Sequence, residues 1–260
     1  MVTSESPSSP TQQPLVRGSW IHDQLQCLRV CIRPRLRCAP VKEVQDHWFK
    51  LAKEEGYRSR AAYKLIGIEE RKRVLRRGMR VLDAGAAPGS WSQVAADRVG
   101  HQGVVFAVDI TPIDPGLPEN VHRVHADLRE ITLDDIGGER FDAVLSDMAP
   151  KTTGDPMGDH FQSVRLCDDL LDQMPQWLHR GGNMVIKVFE GRDYPDLLKR
   201  AARMFDDARG YKPRASRAES VEMFIICFRF NGKDGRIPHQ SDAILPKRKP
   251  SAGWGADTQA

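Results

Sequence analysis

Apolar runs at Arg80–Ala84, Val104–Asp109, Val121–His125, Phe141–Asp147, Met184–Phe189 and Glu222–Phe230 recur through the middle of the chain, separated by stretches compatible with helix. Strand-length runs alternating with helical patterns predict an α/β sheet with helices on both faces. Between the fourth and fifth runs, His160–Leu178 carries Val164, Cys167, Leu170, Leu171 and Met174 at helical spacing. No helix follows the sixth run, which predicts an added hairpin at the sheet edge rather than a further βαβ unit. In open sheets of this kind ligands sit outside the carboxyl ends of the strands. Asp83, Asp109 and Asp147 all fall there.

A chain of 260 residues with 40% hydrophobic content supports one substantial core with flanking segments. Residues 1–40 are rich in Ser, Pro and Arg without periodicity and read as a disordered extension, an organellar transit peptide being the alternative. Residues 41–231 form the expected single domain. Residues 232–260, with Pro238, Pro246, Pro250 and the cluster Lys247, Arg248, Lys249, read as a flexible basic tail. The five cysteines, Cys27, Cys31, Cys38, Cys167 and Cys227, form neither a CxxC pair nor an even disulfide framework, which fits a reducing, cytoplasmic setting. No stretch approaches the roughly 18 apolar residues of a membrane span. No metal is expected, and a monomer suffices.

Net charge is only +4, yet Lys42, Lys50, Lys53, Arg58, Arg60, Lys64 and the run from Arg71 to Arg80 gather cations ahead of the first strand. Such crowding points to a polyanionic partner, most simply nucleic acid, against the plainer reading of a solvated basic face.

The loop after the first strand reads Asp83-Ala84-Gly85-Ala86-Ala87-Pro88-Gly89-Ser90-Trp91. Pro88 removes a donor where a dinucleotide site offers N–H groups to phosphate, while Gly85 and Gly89 still permit close backbone approach. Asp109 ends the next strand, where a carboxylate takes both ribose hydroxyls, and Asp127 lies where an acid accepts from an adenine amino group. An adenosine carrying positive charge, S-adenosyl-L-methionine, fits these acids better than a nicotinamide dinucleotide does.

Lys187 ends an otherwise apolar strand, Asp147 ends its neighbour, Glu222 opens the last run, and Lys64 sits in RSRAAYKL on an amphipathic helix with Tyr57 and Tyr63. Taken singly, a snorkelling lysine or a surface ion pair explains each of them. If the runs belong to one sheet, all four meet at one rim.

With GYRSRAAYKL, LDAGAAPGSWSQ, AVDITPIDP, LSDMAPKTTG, GGNMVIKVFEG and RASRAESVEMF in order, the chain resembles the FtsJ/RrmJ family of ribose 2'-O-methyltransferases over about residues 46–230. The resemblance implies a Rossmann-like S-adenosylmethionine-dependent fold with a mostly parallel seven-stranded sheet. It also implies a catalytic tetrad of Lys64, Asp147, Lys187 and Glu222, and cofactor contacts at Gly89, Trp91, Asp109, Asp127 and Asp147. The implied substrate is a uridine of 23S rRNA in the assembled large ribosomal subunit.

A ribose 2'-hydroxyl is a weak nucleophile that must lose its proton while it attacks the methyl group. Lys187 can accept that proton when neutral, a state favoured by burial and by the nearby Lys64 ammonium. Asp147 would orient Lys187, and Glu222 would hold the lysines or the ribose in register. Lys212, Arg214 and Arg217 could contact phosphates, and Tyr57 or Tyr63 could either stack on a base or pack in the core. The competing functions are methylation of transfer RNA or a messenger cap, and a noncatalytic ribosome-assembly module.

Overall fold

The computed structural model of the chain describes residues 47–213, 215–216 and 220–236. The expectations for the N-terminal extension and for the tail beyond 236 lie outside these residues, as do Lys42, Arg214, Arg217, the 247–249 cluster, Cys27, Cys31 and Cys38. In chain order the elements are α1 (His47–Glu54), α2 (Ala62–Lys72), β1 (Arg80–Ala84), α3 (Ser90–Val99), β2 (Val104–Asp109) and β3 (Val121–His125). A single 3-10 turn at Asp134–Ile136 precedes β4 (Phe141–Ser146), α4 (Pro156–Trp177), β5 (Leu178–Phe189), α5 (Tyr194–Met204), β6 (Phe205–Tyr211) and β7 (Glu222–Phe230).

The strands form one seven-stranded sheet in the order β3-β2-β1-β4-β5-β7-β6. Pairings from β3 through β5 are parallel, whereas β7 runs antiparallel to both β5 and β6. The expected hairpin exists at one end of the sheet, formed by β6 and β7. β7 is interior, paired on both sides, and β6 is the edge strand at this end, as β3 is at the other. The sequence of β6, FDDARGY, alternates around charged residues and carries no apolar run, because only one residue of it is buried. β5 also begins six residues earlier than its apolar run, at Leu178, where α4 ends and HRGGN adds a polar entry to the strand. β4 ends at Ser146, so Asp147 is the first residue beyond it.

Period-two alternation divides the core into two layers. Leu82, Val144, Met184, Ile186, Val188, Ile225 and Cys227 pack with α4 and α5. Val81, Val105, Ala143, Leu145, Val185, Phe224 and Ile226 pack with α2 and α3 on the other face. Asp147 continues the alternation of Ala143 and Leu145, Lys187 that of Val185, and Glu222 that of Phe224 and Ile226. All three therefore point to the side from which α2 delivers Lys64, at the carboxyl end of β4 and β5. Trp91, the second residue of α3, stacks on Phe224 with ring centroids 5.7 Å apart, and its indole N–H donates to the Ala61 carbonyl at 2.9 Å. That contact fixes the start of α2 against the sheet just below the site.

Candidate active site

Lys64, Asp147, Lys187 and Glu222 come together in a ring of alternating charge. Lys64 Nζ lies 2.8 Å from Glu222 Oε2 and 3.8 Å from Asp147 Oδ1. Lys187 Nζ lies 2.8 Å from Asp147 Oδ1 and 4.0 Å from Glu222 Oε1, and it also donates to the Asp147 carbonyl. The lysine side chains are 8% and 5% exposed, against 18% for Asp147 and 22% for Glu222, so the ring opens to solvent mainly along its carboxylates. Burial would push the Glu222 carboxyl up, but the Lys64 ammonium and its hydrogen bond, with Lys187 behind them, hold it below the usual carboxylate range.

The loop between β1 and α3 borders this ring. Gly85 has φ +74°, and a Cβ there would sit 2.3 Å from Met148 Cγ, so the loop packs directly on the residue after Asp147. Gly89 (φ +105°) caps α3 at its N-terminus. Asp109 Oδ2 accepts from the Ala87 amide at 2.9 Å and Oδ1 from Thr111 at 2.7 Å, so this acid shapes the loop and retains lone pairs for ribose hydroxyls. Asp83, at the end of β1, is fully buried and accepts from the Ser92 hydroxyl at 2.6 Å. Burial pushes its carboxyl up to about 7 against that hydrogen bond, and the nearby charges of Asp147 and Asp109 add to the rise. Its Oδ1 has no hydrogen-bond partner among the described residues. Asp109 and Asp147, partly exposed beside the glycine turns with the buried Asp83 carboxyl behind them, suit a cationic ligand, which is the chemistry of a sulfonium-bearing adenosine.

Several expected residues are placed with qualifications. The Trp91 side chain is a 2% exposed core residue bonded to Ala61, so any part it has in holding a cofactor falls to its main chain in the first turn of α3. Asp127 accepts two side-chain bonds from Arg129, a fork that holds its carboxyl down at about 2. A ligand amino group would share Asp127 with this guanidinium. Sequence reasoning missed Arg129, although its position two residues after Asp127 was the available signal. Tyr63 is buried between Trp48 and Tyr57 and donates to Glu55 Oε2 at 2.8 Å, which removes it as a base-stacking surface.

The basic segment ahead of the sheet is also less free than its sequence implies. Lys64 is in the ring, and Arg80 lies 4.3 Å above the Phe106 ring while donating to the carbonyls of Ile136 and Glu139. Arg58 donates to backbone carbonyls of two loops. Lys53, Arg71, Arg73, Arg76, Arg77 and, on the other side, Lys212 remain exposed. Among the described residues no group of three or more His, Cys, Asp or Glu is arranged to hold a metal, and no helix is long and apolar enough to cross a membrane.

Residues 57–230 match the model of the FtsJ-like methyltransferase family. The chain is 41% identical over 198 residues to the ribosomal RNA large subunit methyltransferase E of Nitratidesulfovibrio vulgaris, a match covering 74% of this chain and 96% of the relative. It is 40% identical over 195 residues to the protein of the same name from Methanothermobacter thermautotrophicus, covering 73% and 92%. Among solved structures, a ribosomal RNA methyltransferase from Plasmodium falciparum superposes with a TM-score of 0.61 at 27% identity, covering 68% of this chain and all of that one.

Proposed function

The chain belongs to the FtsJ-like methyltransferase family, and on that premise we propose that it uses S-adenosylmethionine to methylate a ribose 2'-hydroxyl of large-subunit ribosomal RNA, at a uridine of 23S RNA in the assembled subunit. The observation that carries this reading is the closed ring of Lys64, Asp147, Lys187 and Glu222 beside an acid-lined glycine loop. The cofactor supplies an electrophilic methyl group on a sulfonium.

Lys187 takes the proton of the attacking hydroxyl on Nζ. Asp147, bonded to that nitrogen, aims it. The two carboxylates of the ring, Asp147 and Glu222, complement a neighbouring sulfonium. Lys64 stabilises the developing oxyanion, and Glu222 holds Lys64 at 2.8 Å so that the ammonium cannot swing into solvent. Near-collinear placement of hydroxyl and methyl, rather than any covalent intermediate, supplies most of the rate. Gly89, Asp109, Asp127 and the main chain at Trp91 hold the adenosine, and no membrane is needed for a substrate of this kind.

The test incubates the wild type and Lys187→Ala with labelled S-adenosylmethionine and large subunits that lack the modification, then locates the label by nuclease digestion and mass spectrometry. Methyl on one ribose, lost in the variant while cofactor affinity is kept, is the expected result. Turnover surviving in Lys187→Ala removes Lys187 as the base, and label appearing only on another RNA moves the substrate assignment there.

A further inference from the structure

The sequence counts Arg58 among cations available to a polyanion, but the fold directs its guanidinium elsewhere. Arg58 Nη1 donates to the Pro88 carbonyl at 2.9 Å and to the Asp114 carbonyl at 2.8 Å, while Nη2 donates to the Pro115 carbonyl. Pro88 belongs to the glycine loop after β1, and Asp114 and Pro115 belong to the loop after β2, so one side chain ties together two walls of the adenosine pocket. The guanidinium lies in a seam between two glycine turns. A Cβ on Gly89 would come within 3.4 Å of Nη1, and one on Gly116 within 3.7 Å of Nη2. Among the described residues Arg58 pairs with no carboxylate, and carbonyl oxygens take its donors instead.

Its surroundings reinforce the clasp. The Arg58 amide donates to Gln93 Oε1 at 2.9 Å, Gln93 Nε2 returns a bond to the Gly56 carbonyl at 3.0 Å, and the Ser59 and Ser90 hydroxyls are hydrogen-bonded to each other at 2.8 Å. Trp91 adds its bond to the Ala61 carbonyl. The segment from Gly56 to Ala61 is thus bound to the glycine loop and the first turn of α3 immediately before it delivers Lys64 to the ring.

We propose that Arg58 is a positioning residue for the cofactor: its planar fork spans Pro88, Asp114 and Pro115, holding the two pocket loops at the separation that the adenosine and methionyl parts of S-adenosylmethionine require. This rests on the cofactor reading above. The fork matters because a guanidinium offers coplanar donors to several acceptors at once, whereas an ammonium is a point donor on a flexible stem. Preorganised loops lower the ordering that a ligand must impose on binding.

The test uses full-length wild type, Arg58→Ala and Arg58→Lys. S-adenosylmethionine affinity is read by calorimetry, binding of unmodified large subunits by sedimentation, and amide hydrogen exchange of the ligand-free proteins by mass spectrometry. In Arg58→Ala the cofactor Kd is expected to rise by about tenfold or more, the scale of losing a hydrogen bond from a charged donor. Subunit binding should stay near wild type, and exchange should accelerate at residues 85–89 and 111–117 while the α4 and α5 layer is unchanged, which separates loosening of the clasp from general unfolding. Arg58→Lys should recover only part of the affinity. If Arg58→Ala binds the cofactor like wild type but loses subunit affinity, Arg58 is a phosphate contact and the inference is overturned. Full rescue by lysine overturns the fork. Wild type that binds no S-adenosylmethionine overturns the cofactor reading itself, and this role with it.

Discussion

Replacing Lys64 with methionine keeps the bulk of the side chain and removes its charge, which isolates the electrostatics of the ring. Lys64 is nearly buried and stands 2.8 Å from Glu222 and 3.8 Å from Asp147. Removing one partner of a buried pair costs about 3–5 kcal/mol because the other charge is left uncompensated. Here the carboxylates are about one-fifth exposed and Lys187 still serves Asp147, so the lower end, about 3 kcal/mol, is expected. For a domain of this size that is a Tm fall of about 6–12 °C. Adding Glu222→Gln removes the stranded charge, so the double variant should recover much of the loss instead of summing two costs.

The pH dependence has a definite sign. Glu222 is depressed below its ordinary value of 4.5, so its contribution is present above that value and is lost as pH falls through the folded value. The stability gap between wild type and Lys64→Met should therefore be full at neutral pH and shrink below pH 4.5. Thermal and urea unfolding of the four cofactor-free proteins measures all of this. A loss below about 1 kcal/mol for Lys64→Met, typical of an exposed pair, or strict additivity in the cycle, would refute the ring as a coupled buried unit.

Asp83→Asn should remove a pH slope: with its carboxyl raised from 3.8 to about 7, the folded wild type keeps a proton that the unfolded chain gives up, so stability from this group falls as pH rises across that window. Urea unfolding at pH 5 and pH 8 should show the variant gaining on wild type at the higher pH, and parallel behaviour would contradict the assignment. Arg129→Ala should return Asp127 from about 2 toward its ordinary 3.8, read by carboxyl carbon NMR titration, and an unmoved value would mean that another group depresses it. Gly85→Ala must adopt φ +74° and displace Met148, whose Cγ would lie 2.3 Å from the new Cβ. A loss of at least about 1 kcal/mol in urea unfolding is expected from the left-handed backbone alone, with weaker cofactor binding, and a neutral substitution would show that the loop can shift freely.

The interior strands were legible because a buried strand must present hydrophobic side chains on both faces, and β3, although an edge, still showed its valines Val121 and Val124. β6 was not, because only Phe205 of FDDARGY is buried and the strand is otherwise charged or partly exposed, with ion pairs such as Arg209 to Asp207. The same limit applies to β7. Its sequence announces a strand, but the place it takes between β5 and β6 depends on which backbone edges are left unpaired.

The chain's own residues determined the alternation of strands and helices, the glycine loop suited to a cationic adenosine, and the four residues of the ring, since period-two patterning and residue chemistry are local properties. Only the tertiary structure decided that Asp147, Lys187 and Glu222 share one face, that Trp91 and Tyr63 are core, and that Arg58 and Arg129 engage the protein itself. A charge in sequence has no direction. Its acceptors come from segments as distant as Pro88 and Pro115 are from Arg58, and contacts at that range are set when the sheet and its loops assemble.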